Sequence, residues 1–122
     1  MKLHLTQAAG QNLFTAYGDG YVQVNQQRFE TSLIVMPSQL ITDWPPRSLD
    51  QLTEAHFTHL ATLQPEIVLL GTGAMLRFPH PRLSSPLSQA GIGFEVMDTF
   101  AAARTYNILM GEGRRVAAAL LL

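Results

Sequence analysis

Three polar residues, Arg104, Thr105 and Asn107, interrupt a segment between Thr99 and Gly113 that is otherwise mostly small and apolar. A helix packed on a sheet gains little from a guanidinium, a hydroxyl and an amide together. Such groups bind anions, bond to carbonyls or tie neighbouring segments. Arg104 and Asn107 stand at i, i+3 and share a helix face. Thr105 points elsewhere, alongside Ala101 and Ala102, where a buried hydroxyl is expected to bond a backbone carbonyl. Glu112 or Asp98 can neutralise Arg104. The plainer reading is a network that ties the helix to nearby loops, and the sharper one is a ligand site.

Gly71-Thr72-Gly73 follows an apolar run and invites a nucleotide reading. The dinucleotide fingerprint needs Gly or Ala at position 76 and a helix opening at once. Position 76 is Leu, and Pro79 and Pro81 prevent a long helix there. No Gly-Lys-Ser/Thr phosphate loop follows either. The plainer role of these glycines is a sharp turn off a strand. If the strands before Gly71 and Asp98 are parallel, their C-terminal ends share one edge, where open α/β sheets bind ligands. Gly71, Thr72, Gly73, Asp98 and Thr99 then lie close together, with Arg77, His80 and Arg82 on a loop able to reach over them. That arrangement suits a small anion or polar molecule, although Asp98 as a helix cap would repel an anion.

His56 and His59 sit at i, i+3, but no pattern supplies the further ligands that a metal needs. No Ser-His-Asp order or nucleophile elbow is present, and Asp98 with Glu95 does not make a glycosidase pair. No catalytic residue, metal ligand or cofactor is therefore expected. Trp44, next to Pro45-Pro46, is a candidate exposed anchor for an interface, with packing over a sheet edge as the alternative.

The elements that must position these residues divide the chain in two. Residues 1–46 read as mainly antiparallel strands, at 13–17, 21–24, 28–36 and 40–44, with turns at Gly18-Asp19-Gly20, Asn25-Gln26 and Pro37-Ser38. Residues 47–122 alternate helix and strand. Ser48 with Gln51, or Thr53 alone, caps a helix to about Leu63, and Leu49, Leu52, His56, Leu60 and Leu63 follow its period. Strands are expected at 66–70, 93–97 and 116–122. A short helix begins with Ser85 as cap and Pro86 at its first position, and the last helix runs from a cap at Asp98 or Thr99 to Gly113. Alternating strands and helices imply right-handed parallel crossovers with helices on both faces. The expected fold is a single three-layer α/β domain: a mixed, mostly parallel sheet flanked by helices, plus an N-terminal antiparallel β-layer.

A chain of 122 residues fits one domain. It can bury roughly two-thirds of the surface that its unfolded form exposes. Only 14% of residues are charged, a weak sign of a surface covered by a partner or a second copy. A net charge of −1 with no basic stripe argues against nucleic acid. The absence of cysteine excludes disulfides and thiolate chemistry. No apolar run approaches the roughly 20 residues of a membrane helix. The N-terminal Met1-Lys-Leu-His-Leu-Thr-Gln-Ala8 does not read as a targeting segment, so a cytoplasmic location without membrane insertion is expected.

Four motifs stand in order: Pro65-Glu-Ile-Val-Leu-Leu-Gly-Thr-Gly73, Gly91-Ile-Gly-Phe-Glu-Val-Met-Asp-Thr99, Ala103-Arg-Thr-Tyr-Asn107 and Glu112-Gly-Arg114. With them the chain resembles a family of small uncharacterised bacterial and archaeal proteins. That family also includes mitochondrial complex I assembly factor 3 and the adipogenesis-associated domain of animals. The resemblance spans nearly the whole chain and is most specific from 65 to 122. It implies a compact β plus α/β fold, no accepted enzyme activity, and, from the mitochondrial member, a role as a non-catalytic assembly partner of a respiratory membrane complex. The expected partner is then another protein, including membrane-complex subunits. The motif positions carried over are Gly71, Thr72, Gly73, Asp98, Thr99, Thr105, Asn107, Glu112 and Arg114. The competing reading is a small-molecule binder or enzyme at the sheet edge near Thr72, Asp98 and Arg104.

Overall fold

A computed structural model describes residues 10–122, so the N-terminal segment read above as lacking a targeting signal lies outside the described residues. Alternating apolar residues form β1 (Phe14–Gly18) and β2 (Tyr21–Val24), joined by a tight turn with Gly20 at φ 76°. Asn25 and Gln26 both adopt positive φ and return the chain into β3 (Gln27–Phe29), as a two-residue hairpin requires. These three strands form one antiparallel sheet in the order β1-β2-β3.

The run expected as one strand over 28–36 is broken. Its second part is β4 (Leu33–Met36), in a different sheet. The polar Glu30-Thr31-Ser32 segment makes the crossing. Ser32 is buried there, its carbonyl accepting from Trp44 N (2.9 Å) and its hydroxyl from Leu122 N (3.2 Å). β5 (Gln39–Ile41) pairs back on β4, and the chain then turns inward so that Trp44 is buried. Of the two readings of Trp44, the exposed anchor is therefore corrected, and the alternative of packing against the sheet is the one the structure has. Its indole edges against His56 at 5.9 Å within the core beneath α1 (Glu54–Thr62). Thr53 and His56 close the N-terminus of α1 reciprocally as a capping box.

β6 (Ile67–Gly71), α2 (Ser85–Gln89), β7 (Gly93–Met97), α3 (Thr99–Gly111) and β8 (Val116–Leu120) complete the chain. α2 starts one position before its expected first turn, with Ser84 rather than Ser85 in the cap position. Gly113 at φ 83° ends α3. The larger sheet has the order β5-β4-β8-β6-β7, parallel across β8-β6-β7 and antiparallel across β5-β4-β8. Central β8 is buried along its length, and its residues alternate between two cores. Val116, Ala118 and Leu120 join Leu69, α3 and the small sheet, whereas Ala117 and Ala119 join Val68, Leu70, Phe57 and Leu60 under α1 and α2. The alanines keep both faces of this strand thin enough for helices to approach closely. The result is the mixed α/β architecture with helices on both faces that the sequence pattern implies.

Candidate functional site

The C-terminal ends of β6 and β7 meet as the parallel reading requires, with Gly71 beside Met97. A Cβ on Gly71 would lie 2.9 Å from Thr99 Cα, so only glycine lets the start of α3 sit this close. Thr99 is 2% exposed and clamps three segments. Its Oγ1 accepts from Gly73 N (2.8 Å) and donates to Leu121 O (3.0 Å), while its N donates to Gly73 O (2.9 Å). Thr72 Oγ1 donates to Met75 O (2.7 Å), with Met97 O also near at 3.3 Å, and accepts from Arg77 N (3.1 Å). Asp98 Oδ1 accepts from Ala101 N (2.9 Å) and caps α3. Each of these side chains is thus bonded to the backbone around it.

The remaining expected residues lie away from that edge or bond inward. Arg104 Nη1 donates to Tyr17 Oη at 2.7 Å, and the guanidinium stands 5.7 Å from the Tyr17 ring. The ring stacks in turn on Phe100 at 4.5 Å. The expected carboxylate partner for Arg104 is replaced by this phenol, because β1 rather than a loop packs on that face of α3. Asn107 accepts from Phe14 N (3.0 Å) and donates to Phe14 O (2.8 Å). Thr105 is only half-buried and makes no side-chain hydrogen bond among the described residues, which corrects the expectation of a buried, carbonyl-bonded hydroxyl. Glu112 is exposed at the C-terminal end of α3. Arg114 stands 3.6 Å from the Glu66 carboxylate on the surface. Of the loop cations, Arg77 reaches Asp50 at 3.5 Å, and His80 accepts from Arg82 N.

Two ionisable groups are shifted by burial. Tyr106 is held well above the usual phenol range and donates to Asn12 O at 2.9 Å. His56 is lowered, with neighbouring His59 as the lesser cause. A neutral His56 suits its Nδ1, which accepts from Thr53 N at 3.0 Å. No cluster of three metal-ligating side chains occurs among the described residues. A cavity of about 250 Å³ adjoins the clamp, lined by Asp19, Gly73, Ala74, Thr99, Phe100 and Leu122. Its walls are mainly apolar, and Thr99 has both its hydrogen-bonding directions occupied. The arrangement braces the end of the sheet rather than presenting convergent polar groups to a reactant.

The feature that sequence reasoning missed is apolar. Just past the Thr72 turn, Met75 is 73% exposed, Leu76 51% and Phe78 70%. Three large apolar side chains within four residues of an exposed loop are uncommon. The signal was the run Ala74-Met75-Leu76 and Phe78 before Pro79, in a stretch with no strand or helix that could bury it.

Because Asp98 serves as a cap, Asp98→Ala is expected to lower stability by about 1 kcal/mol in urea unfolding. A neutral result would show that its bond to Ala101 N contributes nothing.

Comparison with known proteins places this geometry in context. A family model described as "Protein of unknown function (DUF498/DUF598)" matches residues 14–121. A crystal structure of a Bordetella parapertussis protein is 46% identical, covering 94% of this chain and 98% of that one, with a TM-score of 0.87. A Bordetella pertussis protein described as an Mth938-like domain is 39% identical, covering 99% and 92%, with a TM-score of 0.83. Among curated relatives, the mouse protein named NADH dehydrogenase [ubiquinone] 1 alpha subcomplex assembly factor 3 is 38% identical over 71% of this chain and 48% of its own length. The chain spans about half the length of the curated mammalian relatives it matches.

Proposed function

Since the chain belongs to the family described as a protein of unknown function (DUF498/DUF598), we propose that it is a non-catalytic interaction factor that assists assembly of a respiratory membrane complex. The observation that carries this reading is the contrast at the end of β6. Thr72, Asp98 and Thr99 are all bonded within the fold, while Met75, Leu76 and Phe78 beside them stand in solvent. Exposed apolar side chains on a loop held by a rigid turn are suited to contact another protein. The name carried by the mouse relative supports the class of partner, subunits of an NADH dehydrogenase awaiting assembly. No helix among the described residues is long and apolar enough to cross a membrane, so contact with such subunits would be made from the surface of this fold.

The test is affinity capture from the protein's own cells, comparing the wild type with a Met75→Ser, Phe78→Ser double variant. Wild type is expected to retain respiratory-complex subunits. The variant is expected to lose them with a melting temperature changed by no more than a few degrees, since both side chains are already exposed. Equal recovery of the same subunits by both proteins would remove this surface from the proposal. Recovery of none by either would remove the proposal itself.

A further inference from the structure

β7 is the outer strand of the five-stranded sheet, and no described strand lies beyond it. Its bonds to β6 use alternate residues: Gly93 N donates to Glu66 O (3.0 Å), and Met97 O accepts from Thr72 N (2.9 Å). In the parallel register Gly93, Glu95 and Met97 therefore turn their peptide groups toward β6, and the N–H and C=O of Phe94 and Val96 point outward. The side chains of the same two residues line an open groove of about 620 Å³ with Phe78, Pro79 and Pro81. Glu95 lies between them on the opposite face of the strand, exposed and without an ion pair among the described residues.

Resting on the interaction reading above, we propose that β7 accepts an extended segment of a partner protein as an added antiparallel strand, with a Lys or Arg of that segment opposite Glu95 and a large apolar residue on each side of it. Alternation dictates this pattern. Residues paired with Phe94 and Val96 project over the groove walled by the exposed Phe78 ring, and the residue between them projects beside Glu95. Main-chain bonds from Phe94 and Val96 supply attachment, the groove favours bulky apolar groups, and the carboxylate selects the charge. A second copy of this chain fits poorly. A two-fold pairing that uses both Phe94 and Val96 sets Glu95 directly against its symmetry mate, in a non-hydrogen-bonded pair with Cα atoms about 4.5 Å apart. Glu95 thereby guards the edge against its own kind while admitting a basic strand.

The test is a fluorescence-anisotropy titration with two labelled peptides, Gly-Ser-Leu-Lys-Leu-Ser-Gly and the same peptide with Glu at its centre, at low ionic strength. The Lys peptide is expected to bind about fivefold more tightly, a cross-strand charge effect. Glu95→Lys is expected to reverse that order. Val96→Pro removes an N–H that β6 does not use, so it is expected to abolish binding of both peptides while a cooperative melt persists. Hydrogen exchange at the Phe94 and Val96 amides is expected to slow when the Lys peptide binds. Binding indifferent to Glu95→Lys and Val96→Pro would overturn the proposal, as would no binding of either peptide. A dimer in sedimentation that Val96→Pro dissociates would overturn it in favour of a second copy. Capture of subunits that depends on Phe78 but survives Val96→Pro and Glu95→Lys would overturn strand addition and leave the interaction reading intact.

Discussion

Val116→Asp is expected to abolish cooperative folding. Val116 is fully buried at the start of β8, the strand between β4 and β6. Its side chain joins the apolar core that holds Leu69, Ala103, Tyr106 and Met110. A carboxylate there loses its hydration without gaining a partner, or takes up a proton at a similar cost. The penalty is several kcal/mol, beyond the lost packing of two methyl groups. A domain of this size has about 5–15 kcal/mol of stability in total, so most of that margin disappears. Circular dichroism on heating should show no cooperative transition. Val116→Ala provides the control. It removes two carbons, is expected to cost about 2 kcal/mol, and should still melt in one step. A cooperative melt for Val116→Asp within a few degrees of the alanine variant would show that β8 begins at the surface rather than in the core.

β8 also shows how far the sequence could be read. Its continuous apolar run after Gly113 announced a buried strand, but its central place between an antiparallel and a parallel neighbour was not legible, because strand order is set by pairing between segments far apart in the chain. The break at Glu30-Thr31-Ser32 was not legible, because Arg28 to Met36 carries no Gly or Pro to mark it. What breaks the strand is long-range: Ser32 bonds to Trp44 and Leu122, contacts that no local pattern encodes. The burial of Trp44 was obscured for a related reason. Pro45-Pro46 signals a loop, and a loop residue is expected outside unless tertiary packing draws it in. At the candidate site the meeting of Gly71 with the strand before Asp98 followed from parallel topology alone. The partners of Arg104 did not, because Tyr17 lies 87 residues earlier and reaches α3 only once the small sheet has folded over it.

Asn107 carries that second layer, and replacing it is expected to have the next largest effect. β1 is an edge strand of the small sheet, with β2 on one side only. On its open side Phe14 N donates to Asn107 Oδ1 and Phe14 O accepts from Asn107 Nδ2, at 3.0 and 2.8 Å. One carboxamide thus completes both peptide bonding positions, as a neighbouring strand would. Asn107→Leu keeps the approximate volume but leaves a donor and an acceptor beside a fully buried Phe14 without partners. At about 1–3 kcal/mol for each orphaned group, partly relieved by water at the half-buried site, the loss is expected near 3 kcal/mol. In thermal melting that amounts to about 10 °C. Hydrogen exchange should localise the damage: the Phe14 amide and the β1-β2 pairing should lose protection first, while β6 and β8 keep theirs. Arg104→Met provides the contrast, since Arg104 is exposed and its replacement removes one side-chain hydrogen bond, to Tyr17 Oη. Its cost is expected below about 1 kcal/mol. If Asn107→Leu instead melts like the wild type but fails to retain a captured partner, the amide faces that partner. The bonds to Phe14 would then contribute little to holding the two layers together.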